Sequence, residues 1–136
     1  MQRIVMAAKA GEDQDWLADA TAELAQQTGA MVSVVSMDGL DVEALSSTPR
    51  SEFAGVARSA VDTAVTRLNE RGVQAEGEVR SGLVTQGILL FAEEVDADLI
   101  VCGGSTKSEM ARRVLGSVPV ELIGRSRRPV LVMTPP

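Results

Sequence analysis

The sequence has no histidine, no tyrosine and a single cysteine, Cys102. Without an imidazole there is no His-based triad, no His metal ligand and no acid or base of that type. One cysteine cannot form an intrachain disulfide. Cys102 lies inside an apolar run, where the expected role is a small core residue and not a nucleophile. Aromatics are almost as scarce, with only Trp16, Phe53 and Phe91. That argues against a stacking platform for single-stranded nucleic acid and predicts a core of Val, Leu, Ile and Ala. No run of about eighteen apolar residues occurs, so no segment is expected to span a membrane. The opening MQRIVMAAKAGED has neither the apolar region nor the cleavage site of a secretion signal, and a cytoplasmic location is the expectation. Positive charge is in deficit: 13 basic residues against 19 acidic ones give a net charge of -6. An acidic surface repels phosphate backbones, so general nucleic-acid binding is disfavoured, while a local pocket for a small anion is not.

What remains is an ordinary globular composition, 45% hydrophobic and 24% charged over 136 residues. That length fits one domain, residues 1–136, able to bury a core without disulfides or metal. The pattern along the chain alternates strand and helix. Arg3 to Ala8 is a short apolar run and reads as a buried strand. Asp13 to Thr28 has helical spacing, acidic residues at its start and Gly29 as its stop. Met31 to Met37 reads as a second strand, and Asp38 to Pro49 as a loop. Ser51 to Arg71 returns to helical spacing, with Phe53, Val56, Ala57, Ala60, Val61, Ala64, Val65 and Leu68 on one face and Gly72 at its end. Val73 to Arg80 is a more polar strand that suits a sheet edge. A helix over Leu83–Val95, a strand over Asp98–Cys102 and a strand over Pro129–Met133 follow. Near-continuous apolar strands alternating with helices predict an α/β fold, a doubly wound, five-stranded parallel sheet in a Rossmann-like three-layer sandwich.

In such a sheet, ligands sit beyond the carboxyl ends of the strands, where the strand order reverses. Three loops are expected there: Lys9-Ala10-Gly11, Met37-Asp38-Gly39 and Gly103-Gly104-Ser105-Thr106. Gly103 and Gly104 can adopt positive φ and expose backbone N–H groups, and Ser105 and Thr106 add hydroxyls, so this loop can form a nest for an anion. Pro119 is tolerated only in the first turn of a helix. A helix is therefore expected to begin near Ser117, with Ser117 as N-cap, preceded by a short helix over Ser108–Leu115 that Gly116 closes. Its free N–H groups offer a second anion-binding end, with Lys107, Arg112 and Arg113 nearby. The plainer alternative is that the glycines only turn the chain and the arginines form a solvated face.

The stretch from Asp98 to Met133, DLIVCGGSTKSEMARRVLGSVPVELIGRSRRPVLVM, resembles the C-terminal signature of universal stress proteins. In that family a strand ending in Gly leads into Gly-x-x-Gly-x9-Gly-Ser, a helix and Pro-Val-Leu-Val. The resemblance implies the strand order 3-2-1-4-5, an adenine-nucleotide site for ATP or AMP in many members, and homodimers that often pair through the last strand, here Val130–Met133. Position by position, Gly103 is the motif's first glycine, Gly116 its third and Ser117 the following hydroxyl residue, with Val118 next. Thr106 replaces the second glycine, where a β-branched residue resists positive φ. Lys9 stands where the family usually has an Asp that holds the nucleotide's ribose or base side. Met37 falls roughly where an aliphatic residue lines the adenine pocket.

The expectation is a stress-response regulatory module whose adenine-nucleotide site, built from Lys9, Met37, Gly103, Gly104, Ser105, Thr106, Gly116, Ser117 and Val118, is partly degenerate. The alternative is a nucleotide-free homodimeric scaffold or partner-binding protein. No metal site is expected, and at most weak nucleotide hydrolysis. A receiver domain is excluded by Lys9 and by Ser81-Gly82, which stand where that fold needs acidic residues.

Overall fold

The apolar run near the start of the chain pairs with the run at 99–103, which in turn pairs with the run at 130–133, in one parallel sheet. The structure, a computed structural model, describes residues 1–39, 50–104 and 116–136. Its five strands are β1 (Arg3–Ala7), β2 (Met31–Gly39), β3 (Ala75–Gly82), β4 (Leu99–Gly103) and β5 (Val130–Met133), in the order β3-β2-β1-β4-β5. All four pairings are parallel. The described helices are α1 (Asp15–Thr28), α2 (Arg50–Glu70), α3 (Val84–Glu94) and α4 (Ser117–Arg125).

Strand alternation divides the core in two. Ile4, Met6 and Ala8 of the first strand and its extension pack with Leu17 of α1 and Val61 and Leu68 of α2. Val5 and Ala7 point the other way, to Ile88 and Phe91 of α3 and Leu122 of α4. Both faces of the sheet are therefore covered, α1 and α2 on one side and α3 and α4 on the other. That is why Ile4–Ala7 and Leu99–Cys102 are unbroken apolar runs and do not alternate with polar residues.

Glycines follow the ends of α1 and α2. Gly29 takes φ 75° after α1 and donates its N–H to the Ala25 carbonyl at 2.8 Å. This left-handed cap costs a residue without Cβ little. The two sheet edges differ. On β3, Arg80 pairs with Glu78 and Glu94 at 2.8 and 2.6 Å and lies 5.1 Å over the Phe91 ring. Such charge discourages edge-to-edge pairing. On β5 the exposed side chain is Leu131. The start of β1 is fastened to β4 by Asp98, whose Oδ2 accepts the N–H groups of Gln2 and Arg3 at 2.7 and 3.0 Å. Those donors hold its carboxyl below the usual range.

Several boundaries depart from the sequence reading. β2 continues through Asp38 and Gly39, because they pair with Ser81 and Gly82 of β3. The rest of the expected loop, 40–49, lies outside the described residues, as do the side chain of Phe53 and the short helix expected over Ser108–Leu115. β3 begins at Ala75 because the Val73 N–H is taken by the Leu68 carbonyl at 3.0 Å, which makes 71–73 a helix-terminating turn. The cap of α4 is Gly116 and not Ser117. Gly116 has φ 102° and ψ 152°, and no side-chain cap bond forms. That backbone conformation is open essentially to glycine alone, so the residue with the special conformation takes the cap position. Pro119 lies in the first turn of α4, as its chemistry requires.

Candidate functional site

β1 leads leftwards through α1 to β2, whereas β4 lies to its right. The carboxyl ends of β1 and β4 therefore flank the switch point of the sheet. A cleft of about 760 Å³ opens beside it, between the β1–α1 turn and α2. Its walls are Ala8, Lys9 and residues 11–15 on one side and Gly55, Val56, Ser59, Ala60, Thr63 and Ala64 on the other. Gly11 turns the chain with φ 79° and passes close to Val56. Among the described residues, the charged groups on this lining are one cation, Lys9, and three carboxylates, Glu12, Asp13 and Asp15. Lys9 is exposed, and its Nζ sits 3.5 Å from Glu12 Oε1. The net field of the described lining is thus acidic, which works against a polyphosphate.

Gly103, at the end of β4, faces this turn directly. A Cβ there would lie 3.0 Å from Gln14 Nε2 and 3.1 and 3.3 Å from two carbons of the Trp16 indole. A side chain at this position would crowd Gln14 and Trp16 at the start of α1. Neither Gly103 nor Gly104 adopts positive φ. The Gly104 N–H is given to the Met133 carbonyl at 2.8 Å, which ties β4 to β5. The expected open nest therefore differs at this end: one glycine admits a neighbour and the other extends a ladder. Ser105 and Thr106, like Lys107, Arg112 and Arg113, lie outside the described residues.

Gly116, Ser117 and Val118 open α4. A helix joining two parallel strands runs back along the sheet, so it begins at the carboxyl end, on the same side as Gly103. The first-turn N–H groups of a helix have no intrahelical partner, and Pro119 has none to offer. Ser117 is exposed, while Val118 packs against the second core. α4 is also tied to α3 by a 2.5 Å hydrogen bond from Thr85 Oγ1 to Glu121 Oε2.

Met37 is 9% exposed and points into the second core. Its thioether occupies the space beside Gly87 of α3, where a Cβ would come within 2.1 Å of the methyl carbon. It does not line the cleft. The neighbouring Ser36 faces the α1–α2 side, as Val34 does, and is fully buried, with no partner for its hydroxyl among the described residues. The period of two in β2 is the signal that distinguishes the two residues: Ser36 shares a face with Val34, and Met37 with Val35. Ser59 and Thr63, four residues apart on α2, were equally legible as a polar stripe beside the apolar one. Cys102 is buried, and burial pushes its thiol up to about 11, so it is a poor nucleophile.

The family model for the universal stress protein family matches residues 1–134. The chain belongs to the universal stress protein family. A curated universal stress protein of Methanocaldococcus jannaschii is 40% identical over 67 residues, which are 49% of this chain and 39% of that relative. Two structures of Archaeoglobus fulgidus universal stress protein superpose over 97% of this chain. One has a TM-score of 0.75 at 26% identity, with 93% of that chain covered. The other, in complex with dAMP, has a TM-score of 0.71 at 27% identity, with 97% covered. Among the described residues no helix is long and apolar enough to cross a membrane.

Proposed function

We propose that this universal stress protein is a cytoplasmic, stress-response regulatory module that binds an adenine nucleotide, AMP or ATP, in a partly degenerate site at the switch point. Lys9, Gly103 and Gly104 form one side of that site, and the helix-opening amides of Gly116, Ser117 and Val118 supply the anion-binding end. The relative that holds dAMP has the same fold over nearly its whole length. The observation that carries the reading is the crevice itself: the β1–α1 turn meets Gly103 beside a cleft large enough for a nucleotide. Degeneracy follows from the same residues. Lys9 is engaged by Glu12, three carboxylates line the mouth, and Thr106 stands where the motif has its second glycine. Binding is therefore weak and favours AMP over ATP, whose extra charge meets the acidic lining. Thermal unfolding with and without nucleotide tests this. At a concentration about tenfold above Kd, AMP adds about 1.4 kcal/mol, a rise of roughly 4 °C in Tm for a chain of this size. A flat response to AMP and ATP at millimolar concentration removes the nucleotide reading.

A second reading, a homodimeric scaffold, is favoured by the β5 edge. Leu131 is 39% exposed there, and the strand's outer backbone groups are open to pairing with a second copy through Val130–Met133. Light scattering is expected to give twice the monomer mass for the wild type and the monomer mass for Leu131→Asp. A wild type that runs as a monomer at all accessible concentrations rejects this pairing.

A further inference from the structure

We infer that Gln14 is a latch over the nucleotide crevice, an intramolecular occupant that an entering adenine nucleotide must displace; this rests on the nucleotide reading above. Gln14 occupies the N-cap position of α1 yet makes no side-chain cap bond. Short side chains such as Ser, Asn and Asp are favoured there because they reach the helix's own N–H groups. The longer glutamine turns back instead. Its Oε1 accepts the Lys9 N–H at 2.8 Å, and its Nε2 donates to Glu12 Oε2 at 3.3 Å. The same Nε2 lies 3.0 Å from the Cβ position of Gly103. One carboxamide thus bridges the β1–α1 turn and the end of β4, at the rim of the cleft that Lys9 and Gln14 line.

That placement has two consequences for a ligand. The Lys9 N–H, a backbone donor at the mouth, is already used by an amide oxygen standing where a ligand oxygen could stand. The side-chain-free surface of Gly103 is already covered. Trp16 covers it too, but its indole is packed against the first core, so moving it would open the interior. Gln14 is only half-buried and is held by two hydrogen bonds at the surface, each of small net strength. Rotation of Gln14 is therefore the low-cost motion that uncovers the Lys9 N–H and Gly103 together. A closed latch lowers the apparent affinity by the fraction of molecules that are open.

Isothermal titration with AMP on the wild type, Gln14→Ala and Gln14→Ser tests this, with Lys9 amide hydrogen exchange as a second readout. Gln14→Ser restores a favoured N-cap and keeps the experiment valid should Gln14→Ala lose its fold. Removing the latch is expected to tighten AMP binding about tenfold, equivalent to about 1.4 kcal/mol, and to speed exchange at Lys9 in the free protein. If the wild type binds AMP and neither variant binds it more tightly, the latch is overturned while the nucleotide reading stands. If none of the three binds AMP at millimolar concentration, the nucleotide reading fails and the latch fails with it.

Discussion

Gly77→Ala is expected to destabilise the fold by about 2 kcal/mol, although it adds only one methyl group. Gly77 lies in the edge strand β3, beneath α2. A Cβ there would stand 2.3 Å from Val61 Cγ1, 3.0 Å from Val65 Cγ2 and 3.2 Å from the Val34 carbonyl oxygen. Val61 is fully buried, and a β-branched residue in a helix is confined to essentially one χ1 rotamer. It cannot swing aside, so α2 itself must lift from the sheet. The opposing gain, a less flexible unfolded chain, is only about 0.4–1 kcal/mol and loses to the clash. The expected fall in Tm is about 6–10 °C. A double-mutant cycle isolates the cause. In Gly77→Ala with Val61→Ala the new methyl enters space that the valine vacates, so the pair should cost less than the sum of the singles by about 1–2 kcal/mol. Strict additivity would mean that the contact is not what keeps this position glycine.

The same contact illustrates why the fold was more legible in the sequence than the site. The apolar run of β1, the stop at Gly29 and the long stripe of α2 are local patterns, and each lies within a residue or two of its expected place. The edge position of β3 was also visible, because Glu76, Glu78 and Arg80 make a strand too polar to bury. What the pattern cannot carry is the pairing partner. Asp38 and Gly39 look like turn residues until Ser81 and Gly82 extend the ladder beside them. Gly103 and Gly104 read as a flexible phosphate loop, because glycine-rich stretches after parallel strands often are one. Their roles here are set by residues remote in sequence: Trp16 and Gln14 crowd the first, and Met133 accepts from the second. Gln14 carried no signal at all, since a glutamine before a helix usually has nothing to reach. The family resemblance identified the motif positions but not the side chains that stand in front of them.

Leu122→Ala is expected to cost about 3 kcal/mol, and its effect should reach the end of the molecule where the nucleotide is proposed to bind. Leu122 is fully buried in the second core, beside Ile88 and Phe91, and truncation of such a leucine leaves a cavity that the surroundings fill only in part. α4 has nine residues, and only Pro119 and Leu122 are buried. The half-buried Val118 and the Thr85–Glu121 bond to α3 are its other described anchors. An element with so few buried contacts opens at a lower free energy than the sheet. The N-terminus of α4 presents Gly116 and Ser117, so whatever loosens its hold on the core also disperses those amides. Hydrogen exchange separates this from general weakening. In the wild type the Ser126 amide, bonded to the Leu122 carbonyl at 2.8 Å, should exchange faster than the amides of β1 and β4. In Leu122→Ala the gap should widen, and AMP affinity should fall about tenfold or more at temperatures where circular dichroism still shows a folded chain. Should Ser126 and the β1 amides speed up by the same factor, α4 opens only with the whole protein, and its terminus cannot be tuned apart from the fold.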